Sequence, residues 1–100
     1  MKVTDHAIHR ASERLGWNEK ALGNTAEKAW DQGIKHSDTS GSLNRYLTKL
    51  FFTYRKADNI RIHGEVIFVF CQDTLVTVYL LPSEYKKVVQ KIRDRQSSIV

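Results

Sequence analysis

Apolar positions along the chain change their spacing near residue 60. Before it they recur every three or four residues, as on helices; after it they alternate, as on strands. Ala7, Ile8, Ala11 and Leu15 predict a first helix, capped by Thr4 with Asp5 in its first turn and stopped by Gly16. Asn18 caps a second, with Ala21, Leu22, Ala26, Ala29 and Trp30 on its buried side and Gly33 at its end. Gly23-Asn24-Thr25 leaves open whether that segment is one piece or two. "HSDTSGS", residues 36 to 42, reads as loop. Leu43, Tyr46, Leu47, Leu50, Phe51 and Tyr54 then form a third amphipathic stripe, although "LFFTY" at 50 to 54 suits a strand equally.

From Ile60 the sequence predicts a three-stranded antiparallel meander: "IRI", a turn at "HG", "EVIFVFC", a turn at "QD", and "TLVTVYLL" ended by Pro82. With two-residue turns, Arg61 faces Val66 and Phe68 faces Thr77. One sheet face is then wholly apolar, with Ile60, Ile67, Val69, Val76, Val78 and Leu80, and must be covered by helices. The other carries Arg61, Val66, Phe68, Thr77 and Tyr79, and a slip of one residue exchanges the two. Ser83 caps a last, basic helix, "EYKKVVQKIRDR", with Val88, Val89 and Ile92 inward. The expected fold is α+β: N-terminal helices on a three- to four-stranded antiparallel sheet, with a C-terminal basic helix, in one domain spanning residues 1–100.

Charge sharpens this. The chain carries +5, all of it after residue 34: residues 1–34 hold five basic and five acidic side chains, residues 35–100 eleven and six. Such an excess favours an anionic partner, either nucleic acid or an acidic protein, over a membrane surface. One cysteine, Cys71, excludes an internal disulfide and suits a reducing compartment. The polar start and the absence of a long apolar run predict a cytoplasmic protein.

Candidate chemistry lies in three places. "TDHAIHRASERLG" sets His6, Arg10 and Arg14 four residues apart along one side of the first helix. A His near a helix N-terminus is kept neutral by the dipole, and beside two guanidiniums it can act as a base next to a phosphate. Asp5, His9 and Glu13 form the neighbouring row, so salt bridging explains part of the pattern. On the predicted mixed sheet face, Arg61, Thr77 and Tyr79 would form a donor set for a phosphate, with a ring that can stack a base. Basic residues interleave with aromatics along the third helix, as Arg45, Tyr46, Lys49, Phe51, Phe52, Tyr54, Arg55 and Lys56. Tyr46, Phe51 and Tyr54 fall on its apolar stripe and Phe52 leaves it. The last helix adds Lys86, Lys87 and Lys91. His36, in the loop, and His63, in a turn, are weaker candidates. The histidines and Cys71 show no compact ligand spacing, so neither a metal nor a cofactor is expected.

The "H…R…RLG" opening, the "GSLNRYL" at 41 to 47 and the "LVTVYLL" strand give the chain a resemblance. It resembles small domains of the barnase–EndoU–colicin–RelE group and, more closely, short proteins of phages and Gram-positive bacteria. The resemblance implies helices on an antiparallel sheet and toxin-like, metal-free action on RNA. On the matching positions, His6 would be the acid/base, Arg10 and Arg14 would hold phosphate, and Thr77 and Tyr79 would complete the site. Arg45 and Arg61 would support it. Two readings stand: a small basic RNA-directed protein of RelE-like fold, with or without metal-free endoribonuclease activity, or a non-catalytic phage or mobile-element protein. The second would bind and inhibit a host protein or nucleoprotein, such as a bacterial defence system.

Overall fold

The computed structural model describes residues 1–53 and 57–97. The first helix, α1, spans Asp5–Leu15 and the second, α2, Glu19–Gln32, as one piece. The Thr4 hydroxyl accepts the Ala7 N–H at 3.1 Å, and the Asn18 carbonyl oxygen accepts the Ala21 N–H at 2.8 Å. Gly16 ends α1 in the left-handed conformation, at φ 69°, where its N–H donates to the Ser12 carbonyl. The third helix, α3, spans Gly41–Thr53, so the part of "LFFTY" that is described, through Thr53, is helical. Tyr54, Arg55 and Lys56 lie outside the described residues. A 3-10 turn at Ser83–Tyr85 leads into α4, Lys86–Ser97.

The sheet has five strands in the order β1-β5-β4-β3-β2. The three of the meander are β3 (Asn59–His63), β4 (Val66–Cys71) and β5 (Thr74–Leu80), all antiparallel. Two short strands extend it beyond the three or four expected. β2 (Ile34–Lys35) joins β3 antiparallel, and β1 (Lys2–Val3) joins β5 parallel, so the sheet is mixed rather than antiparallel throughout. Two residues are too few to show a period in a sequence, which is why these strands left no signal.

The turn at Gln72–Asp73 lies where expected, but the first turn and the β4–β5 register differ. Gly64 and Glu65 form the first turn, so Ile62 meets Ile67 and Arg61 meets Phe68. Gly64 has φ 63°, the conformation its position in a tight hairpin requires. In the β4–β5 pair the register breaks at Val69/Phe70: Phe70 meets Leu75, but Val69 meets Thr77 and Phe68 meets Val78. The extra residue in β5 is a β-bulge, and it sends the following side chains to the opposite face. Val78 therefore joins the Phe68 side, whereas Tyr79 packs with Ile67 and Val69 on the other.

Helices cover both faces. Ala7, Ala11, Leu22, Ala26 and Ala29 of α1 and α2 bury Val66, Phe68, Phe70, Leu75 and Val78. Leu43 and Leu47 of α3 and Val89 and Ile92 of α4 cover Ile60, Ile62, Ile67 and Val69. Val88, expected inward, is instead 39% exposed. Phe68 and Phe70, stacked at 6.4 Å and fully buried, each contribute about 1.5–3 kcal/mol of apolar burial. The alanines matter for the site: with methyl groups at positions 7 and 11, α1 lies close along β5.

Candidate nucleic-acid interface

β1 pairs with β5 only at Thr74 and Leu75, so among the described residues the rest of that β5 edge has no strand neighbour. Side chains and backbone from the α1 segment fill that gap. Thr4 donates its N–H to the Leu75 carbonyl at 3.1 Å and its hydroxyl to the Val76 carbonyl at 3.3 Å. Arg14 donates to the Val78 carbonyl at 2.7 Å. From there its guanidinium reaches round the edge and lies over the Tyr79 ring, 4.5 Å from the centroid. Arg14 thus links the α1 side of the sheet to the α3 side.

Beside this pair, α3 presents a cleft of about 470 Å³ lined by Ser42, Arg45, Tyr46, Lys49, Leu50 and Tyr85. The rings of Tyr46 and Tyr85 meet edge to face, 5.3 Å apart. Burial raises the Tyr46 phenol above its ordinary pKa; Tyr85 and Glu84 add to this and Arg14 opposes it. Tyr46 is therefore a neutral hydroxyl near neutral pH. Arg45 and Lys49 are exposed at the mouth, one turn apart, and Phe52 beyond them is 74% exposed. Leaving the apolar stripe, as its spacing predicts, Phe52 is the largest apolar group that α3 shows to solvent.

Of the residues read from the sequence, the structure joins Arg14 and Tyr79, and it gathers Arg45 and Lys49 at the cleft lined by Tyr46, whose phenol feels the Arg14 charge. It separates the rest. His6 is exposed, two turns from Arg14 and about 12 Å away along the helix axis. Arg10 donates to Glu13 at 2.8 Å, and His9 approaches the same carboxylate at 3.3 Å. The acid row beside the cationic column thus takes Arg10, as its spacing predicts. Thr77 is 0% exposed and its hydroxyl has no partner among the described residues, so it lines no surface. Arg61 lies on the opposite sheet face from Tyr79. It donates to the Trp30 carbonyl and to Asn59 Oδ1, both at 2.9 Å, and sits 5.3 Å from the centre of the Trp30 ring. The bulge in β5 is the physical reason: it parts Arg61 from Thr77 and Tyr79, which the uninterrupted register had put together. Lys86 lies 3.5 Å from Glu65, while Lys87 and Lys91 are exposed on α4.

Sequence reasoning missed Tyr85 and assigned Tyr46 to the core. Its place on the helical stripe is real, but it sits at the margin of that stripe and is only half-buried. Among the described residues no group of three or more His, Cys, Asp or Glu could hold a metal, and no helix is long and apolar enough to cross a membrane. No protein-family profile matches the chain, and no curated protein or solved structure matches it either.

Proposed function

We propose that this protein binds single-stranded RNA across the exposed side of α3. The observation that carries this reading is the joining of Arg14 and Tyr79 beside a cleft that pairs the rings of Tyr46 and Tyr85 with Arg45 and Lys49. Cations that track phosphates and rings that stack bases are what a single strand needs. The distribution of charge, all of the +5 lying after residue 34, supports an anionic partner on this part of the chain.

Binding is better supported than cleavage. Metal-free cleavage needs a base at the 2′-OH and cations at the crowded phosphate. Arg10 is held by Glu13, Arg14 by Val78 and Tyr79, and His6 stands two turns away. One experiment addresses both steps: a labelled single-stranded RNA is titrated by fluorescence anisotropy, and total RNA is incubated with the protein in chelator. Saturable binding with intact RNA is the expected result. Cleavage that disappears in His6→Ala would restore the endoribonuclease reading.

Phe52 favours a second reading. An exposed aromatic flanked by cations is also the composition of a protein-binding hot spot, here for an acidic host protein or nucleoprotein. Absence of RNA binding together with a stable complex with such a partner would select it.

A further inference from the structure

The other flank of α3 holds a second cleft, of about 380 Å³, which the first site does not use. Lys35, His36, Asn44, Thr48, Phe51 and Asp58 are among the residues that line it. Its sequence signal was a polar loop, yet the loop is tightly held. Asn44 donates its side-chain amide to the carbonyls of His36 and Thr39, at 3.3 and 3.2 Å, and the Thr39 hydroxyl donates to the His36 carbonyl at 2.6 Å.

These bonds fix more than the backbone. The Thr48 hydroxyl donates to the Asn44 carbonyl at 2.8 Å, so its one proton is committed. At its 3.1 Å contact with His36 Nε2 it must accept. The Nε2 atom therefore carries the hydrogen, and in the neutral ring Nδ1 is a bare acceptor. Among the described residues Nδ1 has no partner.

Across the cleft, Asp58 Oδ1 accepts the Gln72 N–H at 2.9 Å. The second Asp58 oxygen then has no protein partner among the described residues. Phe51 supplies an aromatic wall, its ring centre 6.3 Å from that of His36.

We infer that this cleft binds a nucleobase. It combines a ring face for stacking with two acceptors, His36 Nδ1 and the second Asp58 oxygen, which suit the amino and ring N–H donors of a base edge. Lys35 and the Asp58 carboxylate both line the cleft and offset each other, so it offers no net positive charge to hold a phosphate. One His and one Asp are too few for a metal site. The inference rests on the proposal that the outer side of α3 carries RNA, for which this cleft would take a base on the far side of Arg45, Lys49 and Phe52.

The test uses uncharged nucleosides, which bypass the phosphate-binding surface. Adenosine, guanosine, cytidine and uridine are titrated separately into the full chain, with ribose 5-phosphate as control. The ring nitrogens of His36 and the ring carbons of Phe51 are followed by NMR. At least one nucleoside should shift both sets saturably, and ribose 5-phosphate should shift neither. Asp58→Asn, which retains the acceptor for Gln72, should weaken binding about fivefold, the worth of one hydrogen bond. Thr48→Val should weaken it similarly by freeing the His36 tautomer. Silence from all four nucleosides, or shifts that both variants leave unchanged, would overturn the proposal even if RNA still binds. Nucleoside binding without RNA binding would overturn the RNA surface and leave this cleft standing.

Discussion

The Arg14 guanidinium lies 4.5 Å from the centre of the Tyr79 ring while donating to the carbonyl of Val78, the residue before it. One side chain thus closes an unpaired strand edge and carries a positive charge to the face where α3 packs. Loss of Arg14 removes both effects. Arg14→Ala should lower stability by about 1–3 kcal/mol, from a charged hydrogen bond and a partly exposed cation–π contact. Arg14→Lys should recover only part, because an ammonium cannot lie flat on the ring and reach the carbonyl equally well. Urea denaturation of both variants, with Tyr79→Leu to complete a double-mutant cycle, measures the coupling.

Arg61 provides the contrast. Its donors go to Trp30 and Asn59 on the opposite face of the sheet. Arg61→Ala should destabilise the fold by about 1–3 kcal/mol through the unmet Trp30 carbonyl and lost packing. RNA affinity per folded molecule should stay unchanged, which anisotropy at a temperature well below the midpoint would report.

Salt reads the number of phosphates neutralised. Replacing exposed Lys49 with Gln removes one cation at the cleft mouth. The slope of log affinity against log salt should become shallower by about 0.7, the value for one phosphate of a single strand. Lys28→Gln, on the exposed side of α2, should leave the slope as it is.

His63, at the end of β3, has its pKa lowered by burial first and then by the charges of Arg93 and Lys28. The folded protein therefore resists a proton that the unfolded chain accepts near its ordinary value, about 6.5. This contribution to stability is present above that value and is lost as pH falls through it towards the folded pKa. The urea midpoint should accordingly drop between about pH 7.5 and 5.5, and His63→Gln should flatten part of that drop.

Local chemistry was the legible layer of this sequence. Thr4, Gly16 and Asn18 act as the caps their types and spacings predict, because capping depends on neighbours three or four residues away. The exposure of Phe52 and the pairing of Arg10 with Glu13 were legible for the same reason. What depends on long-range register was not. A single bulged residue in β5 moved Tyr79 to the α3 face, buried Thr77 and left Arg61 on the other side, with no local signal. Tyr85 joins Tyr46 only because the chain turns at Ser83–Tyr85 beneath α3, a contact between residues 39 positions apart. His36 read as a loop residue because Ser, Asp, Thr and Gly surround it. Those polar residues instead hold the loop, with Asn44 and Thr48 of α3 completing the network.

Charge reversal on the outer side of α3 separates RNA binding at that surface from binding elsewhere on the molecule. Arg45 and Lys49 are both exposed, so Arg45→Glu/Lys49→Glu should fold normally, as circular dichroism would show. Lys20→Glu/Lys28→Glu applies the same charge change to α2, on the opposite side of the sheet. Single-stranded RNA affinity, measured by anisotropy at one fixed salt concentration, should fall at least tenfold in the α3 variant, on the order of 1.4 kcal/mol, and far less in the α2 variant. Equal losses in the two, or a wild-type protein that binds no RNA, would contradict RNA binding on α3.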